Sequence, residues 1–212
     1  ERSGGQILVD ALCSHGATHV FCVPGESYLP VLDALLDTQS IRTVVCRQEG
    51  GAAMMADAYG KLTHCPGICL VTRGPGATNA AAGVHIAAQD STPLILFIGQ
   101  VARDVSGREA FQEVDFRLMF SALAKRVEQI EDPSRIPEVV SRAFHTATNG
   151  RAGPVVIALP EDMLTECARV QDTAPYQQIE ASPGALDLGA LERLLLAAQR
   201  PLVIIGGRRW SV

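Results

Sequence analysis

Three loops carry the residues that could do chemistry in this chain: Val23-Pro24-Gly25, Gln48-Glu49-Gly50, and Thr72 through Asn79. Each follows a short β-branched or apolar run, so each lies at the carboxyl end of an expected strand. In an open α/β sheet that edge is where ligands bind. Together the loops describe a glycine-rich shelf with one carboxylate, Glu49. The shelf brings no Lys, and Arg73 is the only basic residue near it, which makes it a poor cradle for a free phosphate. A flat, neutral, hydrogen-bonding ring suits it better. By position alone, Glu49 reads first as a glutamate in an opening helical turn, where it complements the helix dipole.

The elements that must hold these loops follow from periodicity. Thr43-Val44-Val45 stops at Arg47-Gln48-Glu49, and Ala52, Met55, Ala56, Tyr59 and Leu62 then recur at helical spacing as one apolar face. Gly50, Gly51 and the alanines keep the first turns thin, so another surface can approach the backbone. Upstream, Ser3 and Gln6 have the spacing of a capping box. The helix they open has Ile7, Leu8, Ala11 and Leu12 on one face and should stop near Gly16. Val20 to Val23 reads as a strand, and residues 27–36 as a helix with Leu29, Leu32, Leu35 and Leu36 inward.

Ile68 to Thr72 reads as a strand running into the Arg73–Asn79 loop, followed by an alanine-rich helix to about Ala88. Leu94 to Ile98 is fully apolar, as buried parallel strands are. Gln100 to Phe120 is irregular and contains Phe111-Gln112-Glu113. A connection that long inside an α/β domain usually carries function. Ala122 to Val127 reads as a further strand. Asp132-Pro133 opens a helix to about Thr148, and Val155 to Leu159 is a strand closed by Pro160. The alternation predicts an α/β fold, a doubly wound and mostly parallel sheet with helices on both faces.

Composition fits that fold. Of the 212 residues 47% are apolar and 19% charged, so a large core is expected. The net charge of -5 comes with no basic stripe, which argues against nucleic-acid binding. No apolar run approaches the ~20 residues that span a bilayer, and no signal peptide is seen. The six cysteines are scattered and read as reduced thiols of a cytoplasmic protein. The five histidines show no ligand spacing, so no metal site is expected in this chain.

Residues 166–185 turn polar and read as a linker. Leu186 to Ala198 then reads as a Leu-rich helix and Leu202 to Gly207 as a strand, the start of a second α/β unit over 186–212. A helix and one strand bury no core of their own, so Trp210-Ser211-Val212 reads as a cut. The absence of an initial Met suggests a processed or engineered start.

The commonest nucleotide fingerprints, GxGxxG after a strand and GxxxxGK[ST], are missing, as is a Gly-x-Ser-x-Gly elbow. Other blocks are more specific. Arg47-Gln48-Glu49-Gly50-Gly51-Ala52-Ala53 with Tyr59-Gly60, and Thr72-Arg73-Gly74-Pro75-Gly76-Ala77-Thr78-Asn79, resemble the acetolactate synthase-like family of thiamine diphosphate enzymes. Phe21 through Gly25, Phe111-Gln112-Glu113, and Gly153 through Pro160 resemble further blocks of that family in the same order.

The resemblance makes residues 1–165 the pyrimidine-binding domain and 186–212 the start of a truncated central domain. It implies that Glu49 shares a proton with a ring nitrogen of the cofactor's aminopyrimidine. That shared proton favours the imino tautomer of the neighbouring amino group, whose nitrogen takes the proton from the thiazolium carbon. That carbon then attacks a 2-oxo acid such as pyruvate. It implies further that Pro24 and Gly25 touch the pyrimidine edge and that Thr72, Pro75 and Asn79 line its other side. Phe111 and Gln112 would face the reacting end; Phe111 as plain core packing and Gln112 as an exposed loop residue stand beside that reading.

The family's diphosphate and magnesium block, Gly-Asp-Gly followed by Asn-Asn, has no match here. The resemblance therefore implies a site completed by the diphosphate-binding domain of a second subunit, in a homodimer or tetramer. Alone, the chain should be inactive. Flavin (FAD) binding would depend on the central domain. The absence of paired histidines leans toward carboligation over decarboxylation. Two rivals stand beside this reading: a subunit of a naturally split enzyme, and a non-catalytic relative used as a binding module.

Overall fold

The capping box at the amino end forms in the computed structural model, which describes residues 1–204 and 206. The Gln6 N–H donates to Ser3 Oγ at 3.3 Å, and the Ser3 N–H donates to Gln6 Oε1 at 3.0 Å. Strand β1 (Arg2–Ser3) thus passes into α1 (Gly4–Ser14), and Gly16 at φ +77° ends that turn of chain. There follow β2 (His19–Cys22), α2 (Leu29–Leu36), β3 (Arg42–Val45), α3 (Glu49–Thr63), β4 (Gly67–Val71), α4 (Pro75–Gln89) and β5 (Leu94–Gln100). The remainder is α5 (Phe116–Phe120), β6 (Arg126–Gln129), α6 (Ile136–Thr148), β7 (Pro154–Pro160), α7 (Glu161–Thr165), β8 (Cys167–Ala168) and α8 (Ala185–Ala197).

Six strands form one sheet in the order β3-β2-β4-β5-β7-β6, and every pair is parallel. Alternate residues of the central strands enter two separate cores. Ile68, Leu70, Ile95, Phe97, Val155 and Ile157 join the core under α1, α2 and α6. Cys69, Val71, Leu94, Leu96, Ile98 and Val156 join the core under α3, α4 and α5. Helices thus cover both faces, which is why β4, β5 and β7 read as unbroken apolar runs. Each large side chain buried this way contributes roughly 1.5–3 kcal/mol.

Helix α3 is rotated from its expected face. Ala52 and Ala56 are buried as expected and Tyr59 is partly buried. Met55 and Leu62, however, are exposed, while Gly50, Ala53 and Gly60 are buried. The reason is close approach. A Cβ on Gly67 of β4 would meet the Ala56 carbonyl oxygen at 1.9 Å, and one on Gly83 of α4 would meet Ala53 Cβ at 2.5 Å. Only the small residues of α3 fit between sheet and neighbouring helix. In α2, similarly, Val31, Ala34 and Leu35 are buried, Leu32 is partly buried, and Leu29 and Leu36 are exposed. With Pro at the second position of an eight-residue helix, one narrow face meets α1.

The strand expected over 122–127 lies at Arg126–Gln129. Residues 121–123 instead form a turn after α5, with the N–H groups of Leu123 and Ala124 both donating to the Phe120 carbonyl at 3.0 Å. Pairing begins at Arg126, opposite Val155. Asp132 caps a short 3-10 turn, Pro133–Arg135, that leads into α6.

The chain divides into two compact units, Glu1–Gln177 and Gln178–Val212. In the first, the segment after α7 runs back along α1. Cys167–Ala168 pairs antiparallel with Arg2–Ser3, and the Tyr176 ring lies 5.1 Å from that of Phe144. The second contains α8, none of whose residues is buried. Leu202 through Ile204 and Gly206 carry no regular structure, while Ile205 and Gly207 of the strand expected there, with Trp210-Ser211-Val212, lie outside the described residues. Among the described residues no helix is long and apolar enough to cross a membrane.

Candidate functional site

The strand order places the site. From β2 the chain steps outward to β3, then returns to the other side of β2 to form β4. The loops leaving β2 and β4 therefore diverge, opening a crevice at the carboxyl ends of the strands where the order reverses. Pro24-Gly25 leaves β2, and Thr72 to Gly74 leaves β4. Between them comes the amino end of α3, whose first residue is Glu49.

Gln48 starts α3 by accepting the Gly51 N–H on its side-chain oxygen at 2.8 Å. That cap holds Glu49 at the head of the helix, half-buried. Asn79, in the second turn of α4, donates from Nδ2 to Glu49 Oε2 at 2.9 Å. The other oxygen, Oε1, lies 3.6 Å from where a Gly76 Cβ would sit. The same Cβ would come within 2.9 Å of Thr72 Cγ2, and one on Gly25 within 2.6 Å of Thr72 Cβ. Gly25, Thr72, Gly76, Glu49 and Asn79 thus form one contiguous patch with bare backbone at its edges.

Two buried hydroxyls stiffen this patch, and neither stood out in the sequence. Ser27 and Thr72 share a hydrogen bond at 2.8 Å. Ser27 fits because β5 carries Gly99, where a Cβ would meet Ser27 Oγ at 2.1 Å. The signal was present: a glycine closing an otherwise apolar strand marks close approach. Tyr28, fully buried, donates to the Val23 carbonyl just before Pro24. Burial raises the Tyr28 phenol well above its ordinary range, so it stays a donor.

The remaining expected residues lie around this patch. Pro24 is exposed beside Gly25, and Pro75, also exposed, is the first residue of α4. Gly74 has φ +57°, and a Cβ there would meet Gln112 Cβ at 2.8 Å. Gln112 therefore packs on the glycine loop, itself at φ +61°. The Phe111 side chain is 74% exposed, which removes core packing as its explanation. Its carbonyl accepts from Arg73 Nε at 3.1 Å.

A parallel doubly wound sheet with a hydrogen-bonded carboxylate on a glycine shelf at its switch point defines an α/β ligand-binding domain. Comparison with known proteins shows which one. Residues 2–119 match the family described as "Thiamine pyrophosphate enzyme, N-terminal TPP binding domain", and the chain belongs to that family. It is acetolactate synthase-like. It is 35% identical to "Acetolactate synthase 3, chloroplastic" of Brassica napus, over 97% of this chain and 32% of that protein. It is 34% identical to "Acetolactate synthase" of Arthrospira platensis, over 97% of this chain and 37% of that one. To "Acetolactate synthase large subunit" of Porphyra purpurea it is 36% identical, over 98% of this chain and 37% of that one. The chain spans about a third of the length of these relatives.

Proposed function

We propose that this chain forms the pyrimidine side of a thiamine diphosphate site in an acetolactate synthase-like enzyme, with Glu49 as the group that exchanges a proton with the ring. The observation that carries the reading is the Asn79–Glu49 hydrogen bond at the mouth of the glycine shelf. Asn79 occupies Oε2, which orients Oε1 toward the bare backbone at Gly76. Gly25 and Gly76 let Thr72 pack directly on the backbone of both loops, and Gly50 does the same for Gln48 and the Asn79 carbonyl, so the shelf stays thin. A flat ring fits against such edges, and a carboxyl group on one side can share a proton with an aminopyrimidine nitrogen.

When bound, thiamine diphosphate supplies an acidic ring carbon that adds to the carbonyl of a 2-oxo acid. The residues of this chain have simpler tasks. Pro24 and Gly25 present backbone to one edge of the ring, and Thr72, Pro75 and Asn79 limit the other. Glu49 holds or yields a proton at Oε1. Phe111 and Gln112 lie toward the reacting end.

The sequence has no Gly-Asp-Gly followed by Asn-Asn, so the reading assigns none of its residues to magnesium or diphosphate. Those contacts fall to a diphosphate-binding domain of a second subunit in a homo-oligomer, and the chain alone is inactive. Pyruvate is the 2-oxo acid proposed, with carboligation as the reaction; any flavin belongs to the central domain. Six free cysteines support a reducing compartment, the cytoplasm in this proposal, although some relatives are named as chloroplastic.

The test is Glu49→Gln in the full-length enzyme. Glutamine keeps a hydrogen bond but cannot exchange the proton. Turnover of pyruvate should fall by about 10²-fold or more, the usual scale of general acid–base catalysis, while thiamine diphosphate still binds. Near-normal turnover would refute the assignment.

A further inference from the structure

Arg73 is the buried cation of the site's rim. Its guanidinium, in a residue only 7% exposed, reaches three separate segments. Nη2 donates to Glu26 at 2.8 Å in the turn after β2, and Nη1 donates to Glu161 at 3.2 Å at the start of α7. Nε donates to the Phe111 carbonyl at 3.1 Å. The next residue, Gly74, meets Gln112 so closely that a Cβ would come within 2.8 Å of its Cβ and 2.9 Å of its carbonyl oxygen. The dipeptide Arg73-Gly74 therefore grips the dipeptide Phe111-Gln112.

The gripped loop is a unit in itself. Glu113 accepts from the N–H groups of Gly107 at 2.6 Å and Ala110 at 3.0 Å, and these bonds hold its carboxyl below the usual carboxylate range. Gln100 Nε2 donates to the Val114 carbonyl at 2.9 Å, anchoring the loop's far end to β5. Neither brace fixes how the Phe111–Gln112 edge sits on the glycine shelf. The Arg73 fork does, because a guanidinium can serve three acceptors in fixed directions.

We propose that Arg73 is a positioning residue: it docks the Phe111–Gln112 loop onto the Gly74 shelf and so sets turnover without touching the cofactor. The proposal rests on the reading of Gln112 as a residue facing the reacting end. Glu26 and Glu161 belong to the same device, since each directs one arm of the fork.

Hydrogen exchange followed by mass spectrometry on the chain without cofactor tests the docking. In Arg73→Met the amides of 106–113 should exchange about tenfold faster or more, as loss of a charge-assisted bond implies. Exchange in β4 and β5 should stay as in the parent. Arg73→Lys restores charge without the fork and should give an intermediate rate. In the full-length enzyme, Arg73→Met should lower kcat about tenfold while the KM for thiamine diphosphate stays within about threefold, and lysine should recover part of the loss.

Unchanged loop exchange in Arg73→Met overturns the proposal, as does a loosened loop with unchanged kcat. If parent enzyme shows no dependence on thiamine diphosphate, the functional reading falls, and loop exchange alone then decides whether Arg73 docks the loop.

Discussion

Asn79 Nδ2 donates to Glu49 Oε2 at 2.9 Å, joining the second turn of α4 to the first residue of α3. The two helices that carry these residues touch through Gly83 and Ala53, where a Cβ on Gly83 would come within 2.5 Å of Ala53 Cβ. The small-residue contact sets the distance between the helices, and that distance lets a short amide reach the carboxylate.

Removing the donor should disorient Glu49 without unfolding the chain. A hydrogen bond of this kind is worth about 0.5–1.5 kcal/mol net. Asn79→Ala in the full-length enzyme should therefore lower turnover about threefold to tenfold, with a thermal midpoint near that of the parent. Asn79→Asp sets a second carboxylate against Glu49 and should lower it further. Equal turnover in the parent and Asn79→Ala would show that Asn79 does not orient Glu49.

The shelf predicts a specific steric coupling. Gly76→Ala places a Cβ 2.9 Å from Thr72 Cγ2, a methyl whose rotamer is held by the Thr72 hydroxyl bond to Ser27. In an open helix position the same change would stabilise by about 1 kcal/mol. Here it should destabilise by about 1 kcal/mol, as overpacking does. Thr72→Ser removes the methyl and keeps the hydroxyl. In that background Gly76→Ala should become neutral or stabilising, which urea unfolding of the four variants would show as a coupling energy.

His15 makes the chain sensitive to acid. It is 5% exposed, stacks on Phe144 with ring centroids 4.9 Å apart, and accepts the Tyr176 backbone N–H on Nδ1 at 3.0 Å. The proton of the neutral ring therefore sits on Nε2, toward Thr173 Oγ1 at 3.2 Å. Burial, aided by the charge of nearby His145, lowers the pKa of His15 below its usual 6.5. As pH falls, the unfolded chain takes up the proton before the folded one does. The His15 contribution is thus complete above about pH 6.5 and is lost as pH falls through that value toward the folded pKa. Urea midpoints at pH 7.5 and 5.5 should differ more in the parent than in His15→Gln. Amides of Thr173 to Tyr176 should lose protection first. Equal pH dependence in both proteins would contradict this.

The apolar runs show how far local pattern reaches. Leu94 to Ile98 has the unbroken apolar character of a strand buried on both faces, and Ser3–Gln6 has the spacing of a capping box. Both follow from interactions spanning a few residues. The placement of Glu49, Gly25 and Thr72 at strand ends was legible for the same reason. Met55 and Leu62 were misplaced because helical spacing identifies a repeat and not the partner it meets. The partner here, backbone at Gly67 and Gly83, accepts only glycine and alanine.

By itself, the sequence determined the alternation of strands and helices, the loops at their carboxyl ends and the blocks that identify the family, since these rest on local period and residue type. Tertiary structure alone decided that β4 returns beside β2, that Asn79 reaches Glu49, and that Arg73 spans from Glu26 to Glu161. Those contacts join residues as much as 88 positions apart. They depend on helix-to-helix and loop-to-loop distances set by packing, which no local spacing encodes.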